Sequence, residues 1–272
     1  MYSINAAYFE SIVGLPLDDA LACVARAGFD ALDTSPLIRS ADWHEKTVQK
    51  LRLCEKHGLE VHQTHCPFFR YTQDKSEMAE LIKRSYEGSI LMGAKYFVVH
   101  GDEFDIKNEE YTPERALEYN YELFAPYVER AERDGIFIAF ETVFEDGMKF
   151  PRFTSAFDDL YALINKFGSD HVCCCWDFGH ANVSFGNEHA DRIRQMGSLL
   201  KCTHVHDNSG KHDSHLLPFF GNIDWPACRS AMHEIGYDGY LSLEMGYGTP
   251  PAAFGDTLAK YAFDTLVQLG SM

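Results

Sequence analysis

The stretch PERALEYNYELFAPYVERAERDGIFIAFET, residues 113–142, decides the fold. It opens as a long amphipathic segment with apolar residues at helical spacing, and that segment closes on Gly135, the residue type expected just past a helix end. A short, apolar, β-rich run follows, IFIAFET (136–142), carrying Glu141 near its end. The same unit recurs along the chain. Strand-like runs stand at 2–8, 29–35, 59–65, 95–101, 136–142, 172–178, 201–207 and 240–246. Helical patterns occupy 17–28, 43–58, 77–94, 113–135, 155–168, 190–197, 225–236 and 252–270. Eight strand–helix pairs in 272 residues average about 34 residues each, the size of a single (β/α)8 TIM barrel. No Pro/Gly/Ser linker or break in composition divides 1–272, so one domain is expected. A doubly wound open sheet is the rival, but its glycine-rich phosphate loop is missing after the first strand.

Apolar residues make up 46% and charged ones 24%, an ordinary balance for a chain with a sizeable core. The formal net charge of −17 repels a phosphate backbone, so nucleic acid is not an expected partner. Three of the eight cysteines are consecutive (Cys173, Cys174, Cys175), and alternating side-chain directions stop them from pointing one way. Free thiols in a reducing compartment are expected rather than a disulfide framework. The N-terminus has no basic region followed by an apolar stretch, and no run approaches the roughly twenty apolar residues that span a bilayer. A cytoplasmic location with no membrane partner is expected.

In such a barrel the chemistry sits where the strands end. The residues there are Asp33, His65, His100, Glu141, Asp177, His204 with His206, and Glu244, on strands 2 to 8. From strand 3 to strand 8, six strands in a row end in a histidine or a carboxylate. Uncompensated charges converging on one barrel mouth are costly, and a metal is the simplest compensation. The segment HVHDNSGKHDSH (204–215) packs four histidines, His204 and His206 among them, with Asp207 and Asp213 into the same region. Glu141, Asp177, one of the two strand-7 histidines and Glu244 would form a mixed oxygen/nitrogen site. Such a set suits Mn²⁺, Mg²⁺, Co²⁺ or Zn²⁺ and lacks the thiolates of a structural zinc site. His204 and His206 both face the mouth by strand alternation.

These residues lie in AFET (Glu141), WDFGHAN (Asp177, His180), HVHDNSGKHDSHLLPFFGNIDW and LSLEMG (Glu244), and through them nearly the whole chain resembles the xylose-isomerase-like TIM barrels. That superfamily holds sugar isomerases, sugar epimerases and endonuclease IV. The resemblance implies a divalent metal held by Glu141, Asp177, His204 and Glu244. The His-x-x-Asp pattern favours His204, with Asp207 behind it, while the epimerases' His-x-His would match His206 instead. It also implies that Glu141 and Glu244 are the catalytic pair. One would remove a proton next to a sugar carbonyl to give an enediolate, and the other would return it. His180, Glu145, His206 and His65 become candidates for binding the substrate, a sugar or sugar phosphate. The family's PGxG loop reads PFFGN here, Pro218 to Asn222. Dimers or tetramers are implied by resemblance.

Endonuclease IV supplies a second reading. Carried over residue by residue, its three zinc sites fall on His65, His100 and Glu141; on Glu141, Asp177, His204 and Glu244; and on His180, Asp213 and His215. All nine residue types are present, which implies a multi-zinc phosphoester hydrolase. The cations expected near the mouth, Arg70, Lys149, Arg152 and Lys211, are few for a duplex substrate. A non-catalytic, metal-dependent sugar-binding protein is a third reading. Tyr8, Phe68, Phe69, Trp176, Phe178, Phe219, Phe220 and Tyr247 are candidate walls of a sugar pocket, with packing the commoner role for such residues. Trp43 and Trp225 are expected to pack within helices.

Overall fold

The computed structural model describes residues 1–68, 74–101, 111–145, 152–246 and 248–272. Its strands are β1 (Tyr2–Asn5), β2 (Ala31–Asp33), β3 (Glu60–His65), β4 (Tyr96–Val99), β5 (Phe137–Glu141), β6 (Val172–Asp177), β7 (Leu200–His204) and β8 (Leu241–Leu243). Its helices are α1 (Ala7–Ser11), α2 (Leu17–Ala27), α3 (Trp43–Lys56), α4 (Lys75–Leu91), α5 (Pro113–Asp134), α6 (Phe157–Phe167), α7 (Phe178–Phe185), α8 (His189–Met196), α9 (Trp225–Glu234) and α10 (Gly255–Gly270). The strands pair in parallel in chain order from β1 to β7, and β1 also pairs with β8. The ring closes just past the end of β7, where Val205 bridges Leu243. There the Val205 N–H donates to Ser242 O at 2.7 Å and the Glu244 N–H donates to Val205 O at 3.0 Å. This is a (β/α)8 barrel, as the alternation of patterns leads one to expect.

The helices start and stop where local chemistry dictates. Thr112 accepts the Arg115 N–H at the start of α5, with Pro113 in the first turn, where its missing N–H costs nothing. Asp224 does the same for α9 through Ala227 N–H. At the far end of α5, Gly135 takes a φ of 71°, a left-handed conformation that a side chain would oppose. The apolar stripes then cover the outer faces of the strands. Leu163 of α6 and Leu266 of α10 are completely buried there, each contributing roughly 1.5–3 kcal/mol by leaving water.

The barrel interior is filled by Tyr96, Val98, Ala139, Cys173, Cys175 and Cys202, while Cys174 packs outward with the helices. The cysteine triplet is therefore split by strand alternation, and all eight cysteines are buried and free. Trp43 opens α3 and Trp225 opens α9, where it is buried. Among the described residues no helix is long and apolar enough to cross a membrane.

Two features depart from the sequence pattern. Pairing of β2 with β3 slips between Leu32 and Asp33, so Asp33 stands opposite Gln63 rather than His62. The stretch after β6, which carries no helical pattern, forms the helix α7, so His180 sits in a helical first turn. The cause is Asp177, which ends β6 and also caps α7, accepting the His180 N–H at 2.6 Å. Eight residues without an apolar stripe gave no periodic signal for this helix.

Candidate metal centre

Glu141, at the end of β5, is the hub of the barrel mouth and is 1% exposed. Its Oε2 accepts from His65 Nε2 at 2.8 Å and lies 3.0 Å from His100 Nε2. Its Oε1 faces His204 Nδ1 at 3.2 Å and His180 Nδ1 at 3.3 Å. Burial alone would push this carboxyl up, but His204, His100 and His180 overcome it and hold Glu141 well below the usual carboxylate range. His204 is fully buried, and burial works against its charge. The surrounding Glu141, Glu244 and Asp33 nevertheless raise its pKa well above the ordinary histidine value.

The test of whether this group fits a metal lies at His204 Nδ1. That atom is buried and makes no hydrogen bond. Carboxylate oxygens of Glu141, Glu244 and Asp177 surround it at 3.2, 3.6 and 3.7 Å. Donor atoms of Asp177, His204 and Glu244 all lie within 4.8 Å of one another. A buried imidazole nitrogen without a hydrogen bond, facing three carboxylates, is a set of donors that could hold a divalent cation with affinity for oxygen and nitrogen.

His206 does not share that position. β7 ends at His204, and His206 turns to Asp177, its Nε2 lying 3.0 Å from Oδ1, and stacks on His215 with ring centroids 4.0 Å apart. It belongs instead to a second group, with His180, Asp213 and His215, whose donors also lie within 4.8 Å of one another. Asp213 Oδ2 sits 2.9 Å from His215 Nε2 and 3.4 Å from His180 Nε2. These contacts hold the Asp213 carboxyl far below its ordinary range against the opposing effect of burial. His65 and His100 meet at Oε2 of Glu141, and donor atoms of His65, Glu141 and His204 also lie within 4.8 Å of one another.

Asp207, expected behind His204, does not touch it. Its carboxylate accepts from the N–H groups of Phe219, Asn208 and Ile223 and from Trp225 Nε1, tying down the loop that follows β7. The carboxylate behind His204 is Asp33, whose Oδ2 lies 2.8 Å from His204 Nε2. Glu145 is exposed and accepts from Arg152 N–H and Ser155 Oγ at 2.8 and 2.6 Å. It staples the loop after β5 and is absent from the described lining of the main cavity.

A cavity of about 1150 Å³ opens over the centre, with His65, Glu141, His180 and Glu244 on its floor. Phe68 and Arg152 wall it, the guanidinium carbon lying 4.5 Å from the ring centroid. Tyr8, Trp176 and Phe178 are core residues, whereas Phe219 and Phe220 are exposed. Lys211 is exposed and outside the described lining, and Arg70, Lys149, Phe69 and Tyr247 fall outside the described residues. The sequence reading missed Arg39, Lys46 and Phe144 as lining residues. Arg39 reaches the cavity from the β2–α3 connection, which no periodic pattern marks, and Lys46 from the first turn of α3.

An uncharacterized protein of Methanocaldococcus jannaschii is 30% identical over 171 residues, covering 61% of this chain and 55% of its own length. The chain thus spans about half the length of the curated relatives it matches. Among solved structures, a D-tagatose 3-epimerase-like protein superposes with a TM-score of 0.74 at 22% identity, over 98% of this chain and 99% of the other. A D-psicose 3-epimerase solved in the presence of D-fructose gives 0.76 at 15% identity, over 98% of each chain. Matched by its family from residue 21 to 263, this chain belongs to the xylose isomerase-like TIM barrels.

Proposed function

We propose that this protein is a divalent-metal-dependent sugar isomerase or epimerase, with Glu141, Asp177, His204 and Glu244 holding the cation. The observation that carries this reading is the unpartnered, buried Nδ1 of His204 facing three carboxylates. The fold shared with sugar epimerases agrees with it. A bound Mn²⁺, Mg²⁺, Co²⁺ or Zn²⁺ would polarise a sugar carbonyl and make the neighbouring C–H more acidic. The two glutamates then differ in what they can do. Glu244, 22% exposed at its side chain and lining the cavity, is open to a substrate and placed to accept a proton. Glu141 is enclosed and held ionised by its histidine neighbours, so to return a proton it would first have to receive one from an adjoining imidazolium such as His65. His180 and His65 border the same space and are positioned to hydrogen-bond substrate hydroxyls. His206, packed under His215, would act through that neighbour. The test is turnover of a panel of ketoses and aldoses with added Mn²⁺. Activity should vanish with EDTA and return with metal; turnover indifferent to EDTA would refute the reading.

The second donor group favours one alternative, a phosphoester hydrolase with more than one zinc. His180, His206, Asp213 and His215, together with His65 and His100 on Glu141, offer more ligands than a single ion uses. Metal analysis of the wild type and of the Asp213→Ala/His215→Ala double variant separates the two. The isomerase reading expects the double variant to keep its metal content. The hydrolase reading expects two or three ions per chain and loss of one in the variant.

A further inference from the structure

We infer that Asp33, at the end of β2, is a positioning residue that fixes which nitrogen of His204 is free to bind metal. This inference rests on the metal-site reading of Glu141, Asp177, His204 and Glu244, and adds a residue from the opposite side of the barrel. His204 has two ring nitrogens, and only one can point at the carboxylates. Its Nε2 lies 2.8 Å from Asp33 Oδ2. The same Oδ2 receives Gln63 Nε2 at 3.1 Å. The orientation of the Gln63 amide is set by its second neighbour, the carbonyl of Thr203, 3.3 Å from Nε2. Both neighbours are acceptors, so the amide nitrogen must face them. An aspartate is ionised at neutral pH, so Oδ2, already accepting from Gln63, can only accept again from His204. In the neutral imidazole that a cation requires, the single proton is therefore held on Nε2, and Nδ1, the atom with no hydrogen bond, is the one left with a lone pair.

The local fold builds this arrangement. The slip in pairing between β2 and β3 sets Asp33 against Gln63. Without it Asp33 would face His62, whose imidazole is unpartnered at Nε2 and offers no fixed donor. Asp33 and Gln63 are 6% and 0% exposed, so water does not compete for these hydrogen bonds. Among the described residues Asp33 does not line the cavity, and of the four ligands it hydrogen-bonds His204, so its effect on the metal passes through that side chain.

Two measurements on the intact protein test this. The first is titration with Mn²⁺ alone. Asp33→Asn should weaken binding by about 10–100-fold, the usual effect of losing an outer partner of a metal-bound histidine. The second is the imidazole N–H spectrum of ¹⁵N-histidine-labelled protein loaded with Zn²⁺, with the His204 signal assigned by its loss in His204→Gln. The wild type should show a proton on Nε2, strongly deshielded by the carboxylate, and Asp33→Asn should shift it upfield. A role confined to fold stability would leave that resonance unmoved. Should Asp33→Asn not fold, the wild-type spectrum decides alone: a proton on Nδ1 with the metal on Nε2 overturns the inference. If the wild type binds neither Mn²⁺ nor Zn²⁺, the metal reading falls and this inference with it. If it binds both, and Asp33→Asn binds Mn²⁺ within twofold with an unchanged resonance, only the role of Asp33 is overturned.

Discussion

Glu141 and Glu244 differ in enclosure, and their variants should differ in consequence. Glu141→Gln and Glu244→Gln should each lower turnover by more than about a hundredfold, the usual loss on removing a general acid or base. Mn²⁺ titration should also show weaker binding in both, and near-wild-type turnover in either would remove that glutamate from the proton transfer. Protonation of the metal-free site has its own signature. Burial opposes charge on His215, but Asp213 and Glu244 raise its pKa from 6.5 to about 9. A group raised on folding contributes stability that is complete below its unfolded value and is lost as pH climbs through the folded one. The urea midpoint of the protein in EDTA should therefore fall between about pH 6.5 and 9, with His65, His180 and His204 shifted the same way. His62, lowered to about 4, acts below that window and does not mask the effect. A midpoint that rises with pH across the window would contradict this account of the cluster.

The loop after β7 shows what a single departure from pattern does to an element. Where the family's PGxG would place a glycine, this chain has Phe219, at a φ of 76°. That left-handed conformation costs a side-chain-bearing residue roughly 1–2 kcal/mol, against roughly 0.5–1 kcal/mol for the extra freedom of glycine. The loop tolerates it because Asp207 receives the Phe219 N–H at 3.0 Å and the Trp225 indole at 2.9 Å. Phe219→Gly should then raise the urea-unfolding free energy by up to about 1 kcal/mol; a clear loss would mean that the exposed ring has a partner. The element scale is also where sequence patterns were most and least informative. The long stripes of α2, α3, α5 and α10 were legible because one face of each is apolar. Helix α7 was not, since its position follows from the Asp177 cap, and the β2–β3 slip was not, since register depends on both strands.

Across the whole molecule, the recurring unit of strand, helix and glycine was enough to read the barrel, because closing eight such units buries every apolar stripe at once. The converging strand ends were likewise enough to bring Glu141, Asp177, His204 and Glu244 onto one list. What the pattern could not assign was the partner of each histidine. His204 is completed by Asp33, 171 positions away, rather than by Asp207 three positions on. The separation of His204 from His206 follows from where β7 stops. The cavity residue Arg39 comes from a connection whose path is set by tertiary packing. By the proposed function these four side chains, the two glutamates among them, move a proton at a carbon beside a sugar carbonyl. The most direct test is to incubate the protein with Mn²⁺ and a panel of ketoses in D₂O and follow the C–H signals by NMR. The account predicts that deuterium enters one ketose at the carbon next to the carbonyl, in step with turnover, and that EDTA stops it. Exchange that continues unchanged in EDTA would contradict it, as would no exchange in any sugar while the same protein cleaves a phosphodiester.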